Sequence, residues 1–257
     1  MKHSIVPGAH FFFATAPMPC PYLSGRIERR LVTELAGRQA IAFHDTLSQA
    51  GFRRSHCVAY VPVCRDCSAC TAVRVVADQF VPSRGHRRIL RRNKDILHCQ
   101  TLPRASEEQY ALFRTYQEHR HRDGEMAHMD FYDYQTLVED TSVDTTMIEF
   151  RDANSKLISA CLTDRLADGL SAVYSFFDPC LANRSLGTFM ILWLIELAKM
   201  SGSPYVYLGY WIENCAKMSY KSHFTPFETY TVEGWRLFNE NELELSDAAL
   251  PFPRRSI

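Results

Sequence analysis

Between Thr146 and Leu208 the sequence leaves few choices of architecture. Three segments read as strands in succession, Thr146 to Arg151, Leu157 to Asp164 and Leu170 to Phe177. They are joined by Asp152-Ala153-Asn154-Ser155 and Ala167-Asp168-Gly169, both good turn chemistry. Connections this short force an antiparallel meander. A loop from Asp178-Pro179 to Arg184-Ser185 then leads into a strongly apolar helix from about 186 to 200, and Gly202 precedes a further short strand, Tyr205-Val206-Tyr207-Leu208. A meander with an apolar helix and a returning strand must stack helix on sheet, which predicts an α+β fold, a mixed sheet covered by helices.

Upstream the signals are shorter. Ala40, Phe43, Leu47 and Ala50 recur at helical spacing, and Gly51 supplies a left-handed stop. The segment from Phe52 to Pro62 and the run Ala72-Val73-Arg74-Val75-Val76 read as strands. Pro103 precedes Ser106-Glu107-Glu108-Gln109, a capping box opening a helix with Tyr110, Phe113 and Tyr116 on one face. These marks predict a small mixed, cysteine-containing N-terminal domain over 1–100, a second domain over 101–240, and a frayed tail over 241–257 carrying Pro251, Pro253 and two arginines.

Charge is unevenly shared along the chain. The net charge is zero, yet residues 1–100 hold 15 Lys and Arg against 6 Asp and Glu, while the remainder holds 14 against 23. An anionic partner feels the local field, so the N-terminal part is the expected contact surface. Arg84, Arg87, Arg88, Arg91, Arg92 and Lys94 crowd into one short segment with His86, Ile89 and Leu90. Two readings stand for it, a solvated positive face and a phosphate-binding helix or arm. No apolar run approaches the roughly 18 residues of a membrane span, and no secretory leader pattern is visible, which predicts a cytoplasmic protein working without a membrane. In that compartment nine cysteines are not disulfides. Cys57, Cys99, Cys161, Cys180 and Cys215 stand alone and fit small buried hydrophobes.

The order strand, strand, strand, Arg-Ser-Leu-Gly, helix, strand, short helix resembles the acyltransferase fold of N-acetyltransferases. In such a fold the turn before the central helix offers backbone amides to an anion. The corresponding turn, Asn183-Arg184-Ser185-Leu186-Gly187-Thr188, has a single glycine, and it serves either a phosphate-bearing donor or simple capping by Ser185.

Separated strings narrow this further. They are Cys20-Pro21-Tyr22-Leu23 with Gly25-Arg26, Gly51-Phe52-Arg53-Arg54-Ser55, Cys64-x-x-Cys67-x-x-Cys70 with Val73-Arg74-Val75, and Tyr116-Gln117 with Arg120-His121. They continue in Asp168-Gly169-Leu170-Ser171-Ala172-Val173-Tyr174, Arg184-Ser185-Leu186-Gly187-Thr188, Tyr205-Val206-Tyr207-Leu208-Gly209-Tyr210-Trp211 and Met218-x-Tyr220-Lys221. Together, in order, they resemble the bacterial tRNA-protein transferase family that adds leucine to N-terminal acidic residues. The resemblance implies leucyl-tRNA as donor, proteins beginning with Asp or Glu as acceptors, and a product marked for degradation.

The donor would be an ester already activated, and an α-amine with a reference pKa near roughly 8 keeps a neutral fraction at pH 7, so no cofactor is required for the bond change. Arginine suits the acceptor carboxylate, and the candidates are Arg26, Arg53, Arg54, Arg74 and Arg120, with His121 beside them. Tyr174, Tyr207, Tyr210, Tyr220 and Lys221 are the candidates around the amine and ester, with Trp211 nearby, and Asp164 is a possible base. The basic segment, Arg184 and Ser185 would contact tRNA. Cys64, Cys67 and Cys70, at two-residue intervals, with Cys20 as a distant fourth, suit one soft metal, either a structural zinc or an iron-sulfur cluster; the alternative is a group of buried thiols. Two other functions compete, an acetyl-CoA-dependent N-acyltransferase and a non-catalytic RNA-binding protein.

Overall fold

A computed structural model describes residues 10–122, 124–213 and 215–239, so the expected tail over 241–257 lies outside the described residues. In chain order the elements are β1 (Phe12–Ala14), β2 (Met18–Pro19), β3 (Ile27–Glu28), β4 (Arg30–Glu34), α1 (Ala40–Gln49), β5 (Arg53–Ser55), β6 (Val58–Pro62), β7 (Thr71–Val76), α2 (Arg84–Arg92) and β8 (Leu97–Thr101). They continue with α3 (Glu107–Arg120), α4 (Phe131–Glu139), β9 (Thr145–Arg151), β10 (Leu157–Leu166), β11 (Gly169–Phe177), α5 (Leu186–Met200), β12 (Tyr205–Trp211), β13 (Phe227–Thr231) and β14 (Gly234–Leu237).

An eight-stranded sheet runs in the order β14-β13-β7-β12-β11-β10-β9-β8, and a smaller one in the order β1-β4-β6-β5. The meander of β9, β10 and β11 is antiparallel as expected, and β12 joins β11 in parallel after the α5 crossover. This is a mixed sheet covered by helices, the α+β arrangement the sequence predicts.

Both faces of the meander are covered, which explains why β10 is buried at nine of its ten positions. On one face α5 lays Leu186, Phe189, Met190, Leu194, Ile195 and Ala198 against Val73, Val75, Ile148, Phe150, Ile158, Leu170, Val206 and Leu208. On the other, Leu112 and Phe113 of α3 and Tyr134, Leu137 and Val138 of α4 pack on Met147, Ala160, Leu162, Val173 and Phe176. The Ser106 box caps α3 as the sequence predicts, the Ser106 hydroxyl accepting from the Gln109 amide at 3.2 Å.

One expectation requires correction. Phe52 to Pro62 is not one strand, because the chain reverses at His56, whose φ is +53°, and makes the β5-β6 hairpin without a glycine to announce it. The large sheet itself takes strands from both sides of residue 100. β7 lies in its interior between β12 and β13, and β8 forms its edge, so residues before 100 complete the same sheet as the meander.

Candidate functional site: a notch between two parting strands

β11 and β12 pair over only three positions, Gly169 with Tyr205, Leu170 with Val206 and Ser171 with Tyr207. Gly169 permits this approach, since a Cβ there would lie 2.4 Å from the Tyr205 carbonyl oxygen. Beyond Ser171 the strands part. β11 stays with β10 as far as Phe177, while β12 stays with β7 as far as Trp211, with a register shift between Tyr207 and Gly209.

Arg53 of β5 fills the resulting notch. Its Nη2 donates to the Val173 carbonyl of β11 and its Nη1 to the Leu208 carbonyl of β12 at 3.4 Å, so the guanidinium replaces backbone donors that the parting strands no longer supply. Gly209 makes room for it. Its φ is +73°, and a Cβ at this position would stand 1.6 Å from Arg53 Nη1.

Tyr174 follows the Val173 that Arg53 holds, Tyr210 lies two residues beyond Leu208, and the Arg53 charge also reaches Tyr22, Tyr220 and Lys221. Burial raises the Tyr174 phenol, which accepts a hydrogen bond from Gln117 Nε2 on α3. Burial likewise raises Tyr210, whose one hydroxyl proton is shared between the carbonyls of Tyr60 at 2.9 Å and Gly51 at 3.1 Å and thereby ties β12 to the small sheet. Lys221 is buried with its ammonium donating to the Tyr210 carbonyl. Burial first, then the Arg53 charge, drives it well below the ordinary lysine range. Tyr220 keeps 41% of its surface exposed at the mouth. At the end of α3, Tyr116 packs edge-on against Phe177 and His121, and the Arg120 guanidinium lies 6.0 Å above the Phe177 ring, so Arg120 and His121 form a rim.

Four other expected site residues are committed elsewhere. Asp164 is fully buried and is not an available base. Its Oδ2 accepts from Arg54 Nε at 2.6 Å, its Oδ1 from Arg54 Nη2 and from Thr145 Oγ1, both at 2.8 Å, and His44 Nε2 is 3.7 Å away. Arg54 is therefore a structural clamp joining β5 to β10, not a reader of acceptor carboxylates. Arg74 is enclosed in the same way. It donates to Glu228 at 2.7 Å and to the Tyr207 hydroxyl at 2.8 Å, and its guanidinium sits 3.5 Å over the Tyr205 ring and 4.4 Å over Trp235. Tyr207 donates in turn to Asp168 at 2.9 Å, so it belongs to this cage and not to the notch.

The cysteine segment lies between β6 and β7, against the β2-β3 hairpin. Arg26 Nη1 donates to the Asp66 carbonyl at 3.0 Å, which makes Arg26 a tie between the two, and the Val63 amide donates to the Arg29 carbonyl at 2.8 Å. Burial, followed by Cys64, Cys20 and Cys67, pushes the Cys70 thiol up to about 12. The four thiols thus share one neighbourhood, although no three described His, Cys, Asp or Glu side chains stand arranged around a common metal position.

The basic segment is α2, capped by Ser83. Arg84, Arg87, Arg88, Arg91, Arg92 and Lys94 are all exposed. A hollow of about 240 Å³ lies between α2 and the start of α5, lined by Gly85, Arg88, Ile89, Arg92 and Ser185. Ser185 is in the left-handed region at φ +53° and its side chain does not cap α5, contrary to the capping expectation. Arg184 is paired through both terminal nitrogens with Asp95, at 2.7 and 3.1 Å, and turns away from the role expected of it.

Comparison with known families supplies the assignment. A model of the arginine-tRNA-protein transferase C terminus matches residues 108–231, and a model of its N terminus matches residues 18–88. The chain belongs to this family. The transferase is 57% identical over 238 residues to the aspartate/glutamate leucyltransferase of Paramagnetospirillum magneticum, covering 93% of this chain and 98% of the relative. It is 50% identical to that of Rhodospirillum rubrum, covering 90% and 94%. Among solved structures, L-PGS from Bacillus licheniformis aligns with a TM-score of 0.45 and 13% identity over 70% of this chain and 52% of that one.

Membership sets aside the acetyl-CoA and the non-catalytic RNA-binding readings. It also gives the interleaved sheet a meaning. The N-terminal family segment of the transferase carries Arg53 and β7, the C-terminal one carries the two strands that part, and the site exists only where the segments meet. Sequence reasoning missed Tyr22, Tyr60, Gln117 and Gly209 as site-forming residues. Tyr22, Gln117 and Gly209 stood inside the matching strings, but nothing in the local pattern said that they converge.

Proposed function

We propose that this transferase moves leucine from leucyl-tRNA to the N-terminal α-amine of proteins that begin with Asp or Glu, marking them for degradation. The observation that carries the proposal is Arg53 in the β11-β12 notch, a guanidinium held by the Val173 and Leu208 carbonyls whose charge reaches Tyr174, Tyr210, Tyr220 and Lys221. An acidic acceptor side chain brings the negative charge that this cationic, phenol-lined cleft favours.

In the transfer, the acceptor nitrogen attacks the aminoacyl carbonyl, the ester C–O bond to the tRNA 3′ oxygen breaks, and the proton lost by the amine ends on that oxygen. The donor is already activated, so the protein contributes orientation and preorganised dipoles. Lys221, held below its ordinary range, is the group suited to relay the proton, and the neutral Tyr174 and Tyr220 phenols are placed to orient the ester. Arg88 and Arg92, beside the start of α5, would seat phosphate of the tRNA. The reaction involves no membrane and belongs in the cytoplasm, where charged tRNA is available; no helix among the described residues is long and apolar enough to cross a membrane.

Cys20, Cys64, Cys67 and Cys70 are in turn proposed to hold a soft metal, zinc or an iron-sulfur cluster, as a clasp between the β2-β3 hairpin and the cysteine loop. The thiol chemistry suits it, and a cation would offset the cost of ionising Cys70. Metal analysis of anaerobically purified protein is expected to find zinc or iron, and neither would refute the clasp.

The direct test of function is transfer in vitro from leucyl-tRNA and arginyl-tRNA to peptides beginning with Asp, Glu and Lys. Leucine on the Asp and Glu peptides alone is expected. Transfer of arginine in preference to leucine, or equal transfer to the Lys peptide, would refute the proposal.

A further inference from the structure

Glu28 closes β3 and is 6% exposed. Its Oε1 accepts from Arg30 Nε at 2.5 Å, and the Arg30 guanidinium lies 4.9 Å over the Tyr60 ring. Its other oxygen, Oε2, is buried and receives no hydrogen bond from the described residues. A carboxylate oxygen left without a donor is costly, and such an atom in a folded chain calls for an explanation. The location supplies one. Tyr60, under the Arg30 guanidinium, pairs with Arg53 across the β5-β6 hairpin and has its ring 5.8 Å from that of Tyr210, so the free oxygen stands beside the residues of the Arg53 notch.

We infer that Glu28 Oε2 receives the α-ammonium of the leucyl group on the donor tRNA. The inference rests on the proposed aminoacyl transfer. That reaction presents two amines, and the physics separates them. A carboxylate paired with the acceptor amine would favour its protonated form and so suppress the nucleophile. Paired with the donor amine, the same carboxylate fixes the ester in the cleft, and the ammonium it retains draws electron density from the carbonyl that is to be attacked. Glu28 and Arg53 then divide the recognition, the carboxylate reading the donor ammonium and the guanidinium the acceptor carboxylate. This assignment makes Glu28 a binding residue for the donor and gives the proton transfer to other groups.

The test compares leucyl-tRNA with N-acetyl-leucyl-tRNA as donors to an Asp-starting peptide, using the full chain, wild type and the variants Glu28→Gln and Glu28→Asp. Wild type is expected to favour the free-amine donor by about tenfold or more, the size of one charged hydrogen bond. Glu28→Gln should raise KM for leucyl-tRNA by a similar factor, leave KM for the peptide within about twofold, leave transfer from the acetylated donor near wild type, and be partly rescued by Glu28→Asp. Equal use of the two donors by wild type overturns the inference without recourse to any variant. So does a Glu28→Gln defect that is the same for both donors, or one confined to the peptide KM. Failure of wild type to transfer leucine at all would instead overturn the transfer reaction on which the inference rests.

Discussion

Arg53 and Arg54 are neighbours in sequence and opposites in function, because successive side chains of a strand point to opposite faces. Arg53 enters the notch, whereas Arg54 turns to Asp164 and is sealed there. Removing one partner of such a pair strands a buried charge. Asp164→Asn is therefore expected to lower unfolding free energy by about 3 to 5 kcal/mol, and the double replacement Arg54→Met with Asp164→Leu to recover much of that loss, both read from denaturant midpoints. A loss below about 1 kcal/mol would show that the clamp carries little. Gly209→Ala is expected to reduce transfer about a hundredfold, because the added methyl displaces Arg53, and a near wild-type rate would contradict the notch geometry. At this scale the sequence exposed the residue types but not their fates. Five acceptor-site candidates among the arginines looked alike, and Arg26, Arg54 and Arg74 were separated from Arg53 only by partners distant in the chain, Asp66, Asp164 and Glu228.

Among the elements, α2 is the one whose function lies on its surface. Its five arginines are exposed, while His86 is buried between Phe80 and Phe224. Replacing Arg88 and Arg92 together by alanine should weaken tRNA binding at low salt and reduce the slope of log affinity against log salt by about 1 to 2, with little change in stability. An unchanged slope would assign the hollow beside α5 another purpose. The longer elements were legible in advance: α5 follows from its apolar run, the meander from strand segments joined by clear turn chemistry, and α3 from the Ser106 box. Elements set by tertiary partners were not. β8 is wholly exposed and lacks an apolar face to reveal it, β13 and β14 are short, and the β5-β6 reversal uses His56 in a left-handed conformation that a sequence pattern favours for glycine.

For the molecule as a whole, the eight-stranded sheet takes strands from both family segments, so assembly of the sheet and assembly of the site are one event. The same burial shapes the response to pH. His44, His86 and His121 are all held below the ordinary histidine value, in each case chiefly by burial. Below a pH of about 6.5 the unfolded chain takes up protons that the folded chain refuses, so stability falls as pH drops from there toward the folded values. The denaturant midpoint should be lower at pH 5 than at pH 7, and His44→Gln should flatten that slope; an unaltered slope would relieve His44 of any part in it. The measurement that bears most directly on the Arg53 cleft is kcat/KM for leucyl transfer to peptides that differ only in beginning with Asp or Asn, made on wild type and on Arg53→Gln. Wild type is predicted to prefer Asp strongly and the variant to lose that preference, whereas an Arg53→Gln protein that retained the wild-type Asp-to-Asn ratio would contradict the account.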